Sequence, residues 1–386
     1  MGTLLGACSS GGGKTLTIEV DHGHDEFAGT FRAFFPHDVT VKPGMTLKFH
    51  QTWSGEEHTV TMGTGVQELV EPVMLPVIRA ARPFDVDDRT LSPELNEAAA
   101  PFFEKLPFFF GEKGPDPAAA QPCFLDSGLP TSGKVCPQKA QPAFTGKQSY
   151  YSSGFIPYRG SRGNEFTMKI ADDAKPGKYF YYCDLHGPGM SGEIRITKTG
   201  KVPSQATLNK QASKEVAEIA TPLLKQLNKE RAGTSAYKGN LVGSGSEDLY
   251  TVLGQVNEFT PRTVKAEVGK PVTWTFIGEH SISFNVPPYV PLIDFNKKGK
   301  VVENESVFGP SGGWPTRNPP IEDHTGGPPV PSVHADAGKF DGSGGLKSSG
   351  TDWQTGDTYS VTFTKTGEYP MACLIHPGMI GKVVVS

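Results

Sequence analysis

Cysteine, histidine and methionine residues form two sets in this chain, with the same order and nearly the same spacing. In each set a cysteine is followed three positions later by a histidine and then by a methionine, and a second histidine lies far upstream. The first set is His58, Cys183, His186 and Met190, and the second is His280, Cys373, His376 and Met379. A thiolate, two imidazoles and a weak axial thioether are the ligands of a copper site that transfers electrons.

These residue types suit one-electron chemistry. The soft thiolate stabilises Cu(I), the imidazoles suit either oxidation state, and a distant methionine helps to hold a geometry that both states accept. Structural zinc sites use cysteine and histidine without methionine. A binuclear copper centre would need two cysteines in one loop, whereas each loop here has one. The sequence therefore predicts one type 1 (blue) copper ion for each set.

The two sets belong to an internal repeat. Segment 177–190 matches segment 367–379, with six positions from glycine to cysteine in both copies, and only the step from histidine to methionine differs, four against three. Segments 35–49 and 259–274 also match, with eight positions from proline to glycine in both. Tandem duplication of one unit explains these matches, so we expect each copy to bury its own core.

Alternating apolar residues predict β-strands around both sets. The pattern covers 15–62 and 164–198 in the first copy, and about 249–286 and 358–386 in the second, and a period of two is typical of half-buried strands. The cysteine, the nearby histidine and the methionine then share one tight loop between two strands. The upstream histidine comes from a strand that is distant in sequence and packs alongside.

The ligand loops resemble those of cupredoxins, the blue copper family that includes plastocyanin, azurin and amicyanin. Loop 373–379 has the short amicyanin-like spacing, and loop 183–190 is one residue longer after its histidine. The resemblance implies an all-β chain of two tandem Greek-key β-sandwiches, with long loop inserts and a linking helix. It also implies copper on all eight residues of the two sets, and a surface position from which His186 and His376 pass electrons.

The repeat and its interruptions predict the domain organisation. We expect a lipoprotein-like N-terminus and tether at 1–14, a first cupredoxin domain at 15–200 with an insert at 63–163, a helical linker at 201–232, and a second cupredoxin domain at 233–386 with an insert at 287–350. Apolar residues at every third or fourth position of 204–231 predict an amphipathic helix, which Pro222 should kink. A short helix is predicted near 93–105. Residues 309–350 hold 10 Gly and 7 Pro, which predicts a loop without regular structure.

The remaining cysteines concern location and cross-linking. Cys8 follows Leu-Leu-Gly-Ala, which resembles a bacterial lipoprotein signal and predicts export and a lipid anchor on Cys8. The alternative is a chance cysteine in an unstructured N-terminus. Cys123 and Cys136 lie 13 positions apart, and in an exported protein they are expected to form a disulfide worth about 3 kcal/mol. The alternative is two free thiols in a reducing compartment.

Composition excludes several classes of function. Lys and Arg number 37 against 41 Asp and Glu, giving a net charge of −4, and a nucleic-acid-binding protein would normally carry a clustered basic surplus. No run of about 18 apolar residues occurs to span a membrane. The 46 Gly and 33 Pro argue against a helical bundle, because both residues break helices.

An electron carrier fits the motifs better than an enzyme does. Copper oxidases and nitrite reductases resemble tandem cupredoxins, but their further copper ions need histidines beside the blue-site cysteine and in His-x-His pairs. One such pair occurs, His22 and His24, which could bind a metal or form a polar turn. We predict a one-electron carrier between membrane or soluble redox proteins, periplasmic or at the cell surface. The two loops differ in length and could give the two copper sites different reduction potentials. Copper storage or delivery is the alternative function.

Overall fold

The structure is a computed structural model. It describes residues 14–51, 56–71, 105–106, 117–130, 141–156, 164–234, 239–243, 253–278, 280–288, 290–297, 301–308, 333–351, 353, 355–376 and 378–386. Within these residues no helix combines the length and the apolar character needed to cross a bilayer. Cys8, Cys136 and positions 93–104 of the helix predicted near 93–105 lie outside the described residues.

The first half of the chain forms a sandwich of two sheets. Its strands are β1 Thr15–Val20, β2 Gly29–Phe31, β3 Phe34–Phe35, β4 Asp38–Val41, β5 Thr46–Gln51, β6 Thr61–Met62, β7 Cys123–Leu125, β8 Tyr150–Ser152, β9 Glu165–Lys169, β10 Gly177–Cys183 and β11 Gly187–Ile196. One sheet has the strand order β3-β1-β5-β9 and the other β4-β11-β10-β6-β8-β7. A short helix, α1 (Pro117–Ala120), precedes β7.

The predicted linking helix is present as α2 (Gln205–Lys229), and a π-helical turn, Glu230–Thr234, follows it. Ser204 caps its first turn, because the hydroxyl oxygen accepts a hydrogen bond from the backbone N–H of Thr207. The apolar residues at helical spacing form its buried face, which includes Leu208, Val216 and Leu223. Pro222 lies inside the helix and does not end it.

The second half repeats the sandwich. Its strands are β12 Asn240–Val242, β13 Gly254–Val256, β14 Phe259–Thr260, β15 Thr263–Ala266, β16 Pro271–Phe276, β17 Ser283–Phe284, β18 Ile293–Phe295, β19 Val301–Glu303, β20 His334–Phe340, β21 Lys347–Ser348, β22 Thr358–Phe363, β23 Gly367–Ala372 and β24 Ile380–Val385. A helix of one turn, α3 (Glu305–Phe308), follows β19. The two sheets have the orders β14-β12-β16-β22-β20 and β15-β24-β23-β17-β21.

The two sandwiches share one topology. β1 runs parallel to β5 and antiparallel to β3, and β12 has the same relation to β16 and β14. β11 lies between parallel β4 and antiparallel β10, as β24 lies between β15 and β23. The prediction of an all-β chain with two tandem Greek-key sandwiches and a linking helix is therefore confirmed.

Each sandwich has an apolar core between its sheets. Ile18, Phe49 and Tyr181 are fully buried in the first core, and Trp274 and Phe363 are fully buried in the second. Burial alternates along β1, β5 and β22, because successive side chains of a strand point to opposite faces. This alternation is the period of two seen in the sequence.

Regular structure is present in part of the stretch that was predicted to lack it. β20 runs parallel to β22, and β21 pairs antiparallel with β17. The expectation of an irregular loop across 309–350 is therefore wrong for 334–340 and 347–348. Pairing with the sheets stabilises extended backbone there, because tertiary context outweighs local propensity in strands. Residues 309–332 lie outside the described residues.

The two halves contact each other through a strand pair and the linking helix. β13 of the second half pairs antiparallel with β2 of the first, and Gly254 lies opposite Phe31. Phe31, Ile219, Leu223 and Val256 pack together in one apolar cluster, which combines residues of both halves with the helix. Burial of apolar surface stabilises this contact. The interface lies beside both cysteine loops, because Glu56 contacts His186 and Gln255 contacts His376.

Candidate metal centres

The first ligand set comes together at one end of the first sandwich, and we call it site 1. His58 forms an isolated β-bridge with Ile156 just before β6. Cys183 ends β10, His186 lies in the following turn, and Met190 lies on β11. Pairing of β10 with both β6 and β11 brings residues more than a hundred positions apart to one place.

The donor atoms of site 1 face one another. The Nδ1 atoms of His58 and His186 are 3.2 Å apart. The Cys183 Sγ lies 4.0 Å from the His58 Nδ1 and 3.6 Å from the His186 Nδ1. The three atoms are therefore close enough together to bind one ion. His58 and Cys183 are fully buried, so the protein excludes bulk water from these two ligands.

The second ligand set has nearly the same geometry, and we call it site 2. The Nδ1 atoms of His280 and His376 are 3.0 Å apart, and the Cys373 Sγ lies 3.6 Å from the His376 Nδ1. In both sites the two nitrogens and the sulfur lie within 4.8 Å of one another. Among the described residues, these are the two groups of this kind.

Both methionines are fully buried in the cores that contain the site cysteines. In site 2 the backbone closes a tight loop around the donor set. The Cys373 N–H donates to the Met379 carbonyl at 3.0 Å, and the Met379 N–H donates to the His376 carbonyl at 2.8 Å. The assignment of Met190 and Met379 as axial ligands stays a prediction.

Each cysteine sulfur accepts a backbone hydrogen bond from the residue after the upstream histidine. The donor is the Thr59 N–H in site 1 and the Ser281 N–H in site 2, and both distances are 3.3 Å. The hydroxyl of the same residue accepts from the residue after the cysteine, at 2.7 Å in site 1 and 2.8 Å in site 2. These bonds fix the cysteine loop against the histidine segment, and N–H bonds to the sulfur tune the potential of a copper thiolate.

Carboxylates hold the outer nitrogens of the site 1 histidines. The Asp21 Oδ2 lies 3.4 Å from the His58 Nε2, and the Glu56 Oε1 lies 2.6 Å from the His186 Nε2. An outer carboxylate orients a ligating imidazole and raises its basicity. Asp21 has a left-handed backbone with a φ of 60°, which aspartate tolerates better than most residues.

Site 2 has a neutral amide as the partner of its second histidine. The His376 Nε2 lies 2.8 Å from the Gln255 Nε2, and the Arg32 guanidinium donates a hydrogen bond to the Gln255 Oε1. Gly243 stands where Asp21 stands in the first repeat, since each follows the strand residue that pairs with Phe34 or Phe259. The two sites therefore share ligands and differ in the charge around them.

The ionisation of the ligands reflects this difference. Burial alone would lower the pKa of His58, but hydrogen bonds with Asp21 and Cys183 raise it to about 10. Burial alone would raise the pKa of Cys183, but hydrogen bonds with His186 and His58 lower it to about 5. In site 2 burial raises the pKa of Cys373 and lowers that of His376 to about 4. Site 1 thus favours a thiolate in the metal-free protein, and site 2 a neutral thiol.

The donor sets fit copper. Each offers one soft thiolate donor and two imidazole nitrogens that face one point, which is the equatorial ligand set of a blue copper centre. None of the three donors is an oxygen atom. Hard cations such as Ca²⁺ and Mg²⁺ prefer oxygen ligands, so this donor set does not suit them.

The predicted surface position of the second histidines is wrong for His376. Its side chain is buried, and that of His186 is only 11% exposed. Both rings turn their Nε2 atoms toward side chains at the interface of the two halves, Glu56 and Gln255. The physical reason is the contact between the halves, which covers the ligand loops.

His22 and His24 have different neighbours from those of a metal site. The His22 Nδ1 lies 3.1 Å from the Glu19 Oε1, and the His24 ring stacks on Phe27 with centroids 4.4 Å apart. Neither belongs to a donor group of the described residues. These contacts favour the polar-turn interpretation of the His-x-His pair.

Sequence reasoning missed the residues that surround the ligands. Asp21 and Glu56 contact histidines of site 1. Gln255 contacts a histidine of site 2. Both repeats have an acidic residue directly before the upstream histidine, Glu57 and Glu279, and this signal marks only the neighbour of Glu56. No comparable signal marks Gln255, because its position depends on how the two halves meet.

Comparison with solved structures gives cupredoxins. A purple cupredoxin from Nitrosopumilus maritimus is 19% identical, over 38% of this chain and 97% of its own, with a TM-score of 0.18. A reduced amicyanin mutant is 18% identical, over 33% of this chain and 73% of its own, with a TM-score of 0.17. A Cu(I) form of another amicyanin mutant is 17% identical, over 40% and 89%, with a TM-score of 0.19. No protein-family model and no curated protein matches the chain.

Each half of the chain has a cupredoxin-like fold. The strand order of the two sandwiches and the His, Cys and His donors at one end of each show this fold. The predicted resemblance to cupredoxins is confirmed at the level of the fold.

Proposed function

We propose that the protein is an electron carrier with one type 1 copper ion in each half, held by His58, Cys183, His186 and Met190 in site 1 and by His280, Cys373, His376 and Met379 in site 2. The observation that carries this proposal is the duplicated donor set, with two imidazole nitrogens and one cysteine sulfur within 4.8 Å in each half. Bound copper would supply a centre that gains or loses one electron.

The chain's own residues provide what such a centre requires. Strands from distant parts of the sequence hold the donor atoms, and backbone N–H groups of Thr59 and Ser281 hold the sulfurs. Fixed and buried ligands restrict movement when the charge of the site changes, so the reorganisation accompanying electron transfer is small. Burial of Cys183 and Cys373 also protects the thiolates from side reactions with solvent oxidants.

The residues beside each cysteine support a carrier in preference to a copper oxidase. Cys183 is flanked by Tyr182 and Asp184, and Cys373 by Ala372 and Leu374. An oxidase of the tandem cupredoxin type would use histidines there to pass electrons to further copper ions. We therefore propose that the protein is not an enzyme and exchanges electrons with membrane or soluble redox proteins.

The location that we propose is the outer face of a cell membrane, in the periplasm or at the cell surface. It is supported by the resemblance of the Leu4–Cys8 segment to a lipoprotein signal. Cys8 and Cys136 both lie outside the described residues, so the lipid anchor and the disulfide between Cys123 and Cys136 stay predictions.

A redox titration tests the carrier function. We expect the copper-loaded protein to accept two electrons per chain reversibly, to keep its copper when challenged with a Cu(I) chelator, and to show fast electron self-exchange. Rapid release of copper to the chelator together with slow self-exchange would instead favour storage or delivery. Nitrite or oxygen turnover with more than two coppers per chain would favour an enzyme.

A further inference from the structure

A continuous series of side-chain contacts leads from site 1 to site 2. From site 1, the His186 Nε2 lies 2.6 Å from the Glu56 Oε1. The Thr30 hydroxyl donates to the other oxygen of Glu56 at 3.0 Å. The Asn257 side-chain amide donates to the same Thr30 hydroxyl at 2.9 Å. Three contacts thus connect the first half of the chain to the second.

The series continues on the other side of the interface. The Gln255 Nε2 donates to the Asn257 Oδ1 at 2.6 Å and lies 2.8 Å from the His376 Nε2. We call the four intervening residues, Glu56, Thr30, Asn257 and Gln255, the inter-site bridge. Five contacts of hydrogen-bond length therefore join a ligand of site 1 to a ligand of site 2.

The bridge is buried and fixed in place. All four of its residues are buried, and Thr30 and Asn257 are each only 1% exposed. Pairing of β2 with β13 sets Thr30 opposite Gln255. The Asn257 backbone N–H donates to the Ala28 carbonyl at 2.7 Å. Backbone hydrogen bonds between the halves therefore hold the bridge side chains in register.

The two ends of the bridge differ in charge. The site 1 end is the carboxyl group of Glu56, whose Oε1 lies 2.6 Å from the His186 Nε2. The site 2 end is Gln255, a neutral amide that accepts a hydrogen bond from the Arg32 guanidinium. A negative charge stabilises the more positive, oxidised form of a nearby metal, and a positive charge destabilises it. Site 1 should therefore have the lower reduction potential.

We propose that the inter-site bridge carries single electrons within the chain, from site 1 to site 2. The inference rests on the proposed function, because it needs copper in both sites. Site 1 is oxidised by one electron and site 2 is reduced by the same electron, no bond forms or breaks, and no proton moves. Covalent and hydrogen bonds couple donor and acceptor more strongly than gaps between non-bonded atoms do.

Rapid-freeze EPR on the full chain tests the bridge. The oxidised, copper-loaded protein receives less than one equivalent of electrons from a photochemically generated one-electron reductant. Reference spectra of each site come from Cys373→Ser, which keeps site 1, and Cys183→Ser, which keeps site 2. We expect a phase, independent of protein concentration, in which the electron leaves site 1 and arrives at site 2.

Thr30→Val identifies the route. Valine keeps the shape of threonine and removes the hydroxyl that joins Glu56 to Asn257. We expect the intramolecular rate to fall severalfold, with copper content, EPR spectra and both potentials unchanged. Thr273→Val is the matched control, because its hydroxyl bonds to Ser360 away from the bridge, and it should leave the rate unchanged. Asn257→Leu removes the same link if Thr30→Val does not fold.

Two results would overturn the bridge, the absence of an intramolecular phase in the wild-type chain and an unchanged rate in both bridge variants. The direction is tested separately by the potentials of the two single-site variants. Site 1 should have the lower potential, and Glu56→Gln should raise the potential of site 1 by more than it raises that of site 2, because Glu56 contacts His186 directly. A higher potential at site 1 would contradict the direction. Failure of the wild-type chain to bind copper, seen as a missing thiolate-to-copper absorption, would contradict the proposed function itself.

Discussion

The two sites have the same histidine and cysteine donors but different neighbouring side chains. Asp21 and Glu56 face the outer nitrogens of His58 and His186, whereas Gln255 faces His376. Outer partners of this kind fix ring orientation and ligand basicity. The two sites therefore differ in the side chains that contact the outer nitrogens of the histidines. Single substitutions of these side chains test the difference.

Substitution of Asp21 tests this layer. We expect Asp21→Asn to weaken copper binding at site 1 by roughly 10-fold, the lower end for the loss of an outer carboxylate. Asparagine tolerates the left-handed backbone of this position, so the fold should be kept. Competition with a copper chelator, in a Cys373→Ser background that keeps only site 1, measures the change. The same substitution in a Cys183→Ser background is the control, and an unchanged site 1 affinity would contradict a role for Asp21.

Among the secondary-structure elements, two β-hairpins position the cysteine loops. β10 and β11 carry Cys183 and Met190 on either side of one turn, and β23 and β24 repeat the arrangement around Cys373. Close approach of neighbouring backbones is part of this design. Gly192 lies on β11 against the His37 carbonyl oxygen and the Tyr181 ring, and a methyl group there would overlap both.

Gly192→Ala should therefore destabilise the first sandwich. Overpacking of a well-packed site costs about 1–3 kcal/mol, and urea unfolding of the metal-free protein measures the free energy. Gly345→Ala is the matched control, since a methyl group at Gly345 would meet no described atom within 4 Å. Equal stability of the two variants would show that β11 does not approach its neighbours as closely as described.

The strands and the two groups of histidine and cysteine were predictable from sequence, and the contact between the halves was not. Alternation of apolar residues and the spacing around Cys183 and Cys373 are local signals, so they indicate the strands and the residues that come together. The burial of His376 depends on β13, on β2 and on Gln255, which lies 121 positions away. Glycine content misled the interpretation of 334–340 and 347–348, because the sheet pairing of these two segments is non-local.

In the whole molecule, both sites lie beside the interface between the two halves. α2 and the β2–β13 pair bring the halves together, and the inter-site bridge crosses the same contact. Formation of site 1 and site 2 requires folded sandwiches, because each set draws a histidine and a cysteine from distant segments. Metal binding at these two sites would therefore be coupled to folding.

Copper should stabilise the folded chain. A ligand that binds only the native state adds about 2.7 kcal/mol per site at a hundredfold excess over its dissociation constant. We expect the thermal unfolding temperature to rise when copper is added to the wild-type protein, and to fall again on removal with a chelator. The double variant Cys183→Ser/Cys373→Ser should respond far less. An equal response would place the stabilising copper outside the two sites.

Copper content and the visible spectrum, recorded on the wild-type chain and on Cys183→Ser and Cys373→Ser, test the central claim most directly. Two converging donor sets predict two copper ions per chain and an intense thiolate-to-copper absorption in the wild type, with about half of the absorption left in each single variant. An absorption that either substitution leaves unchanged would contradict that site, and a colourless copper-loaded wild type would contradict the account as a whole.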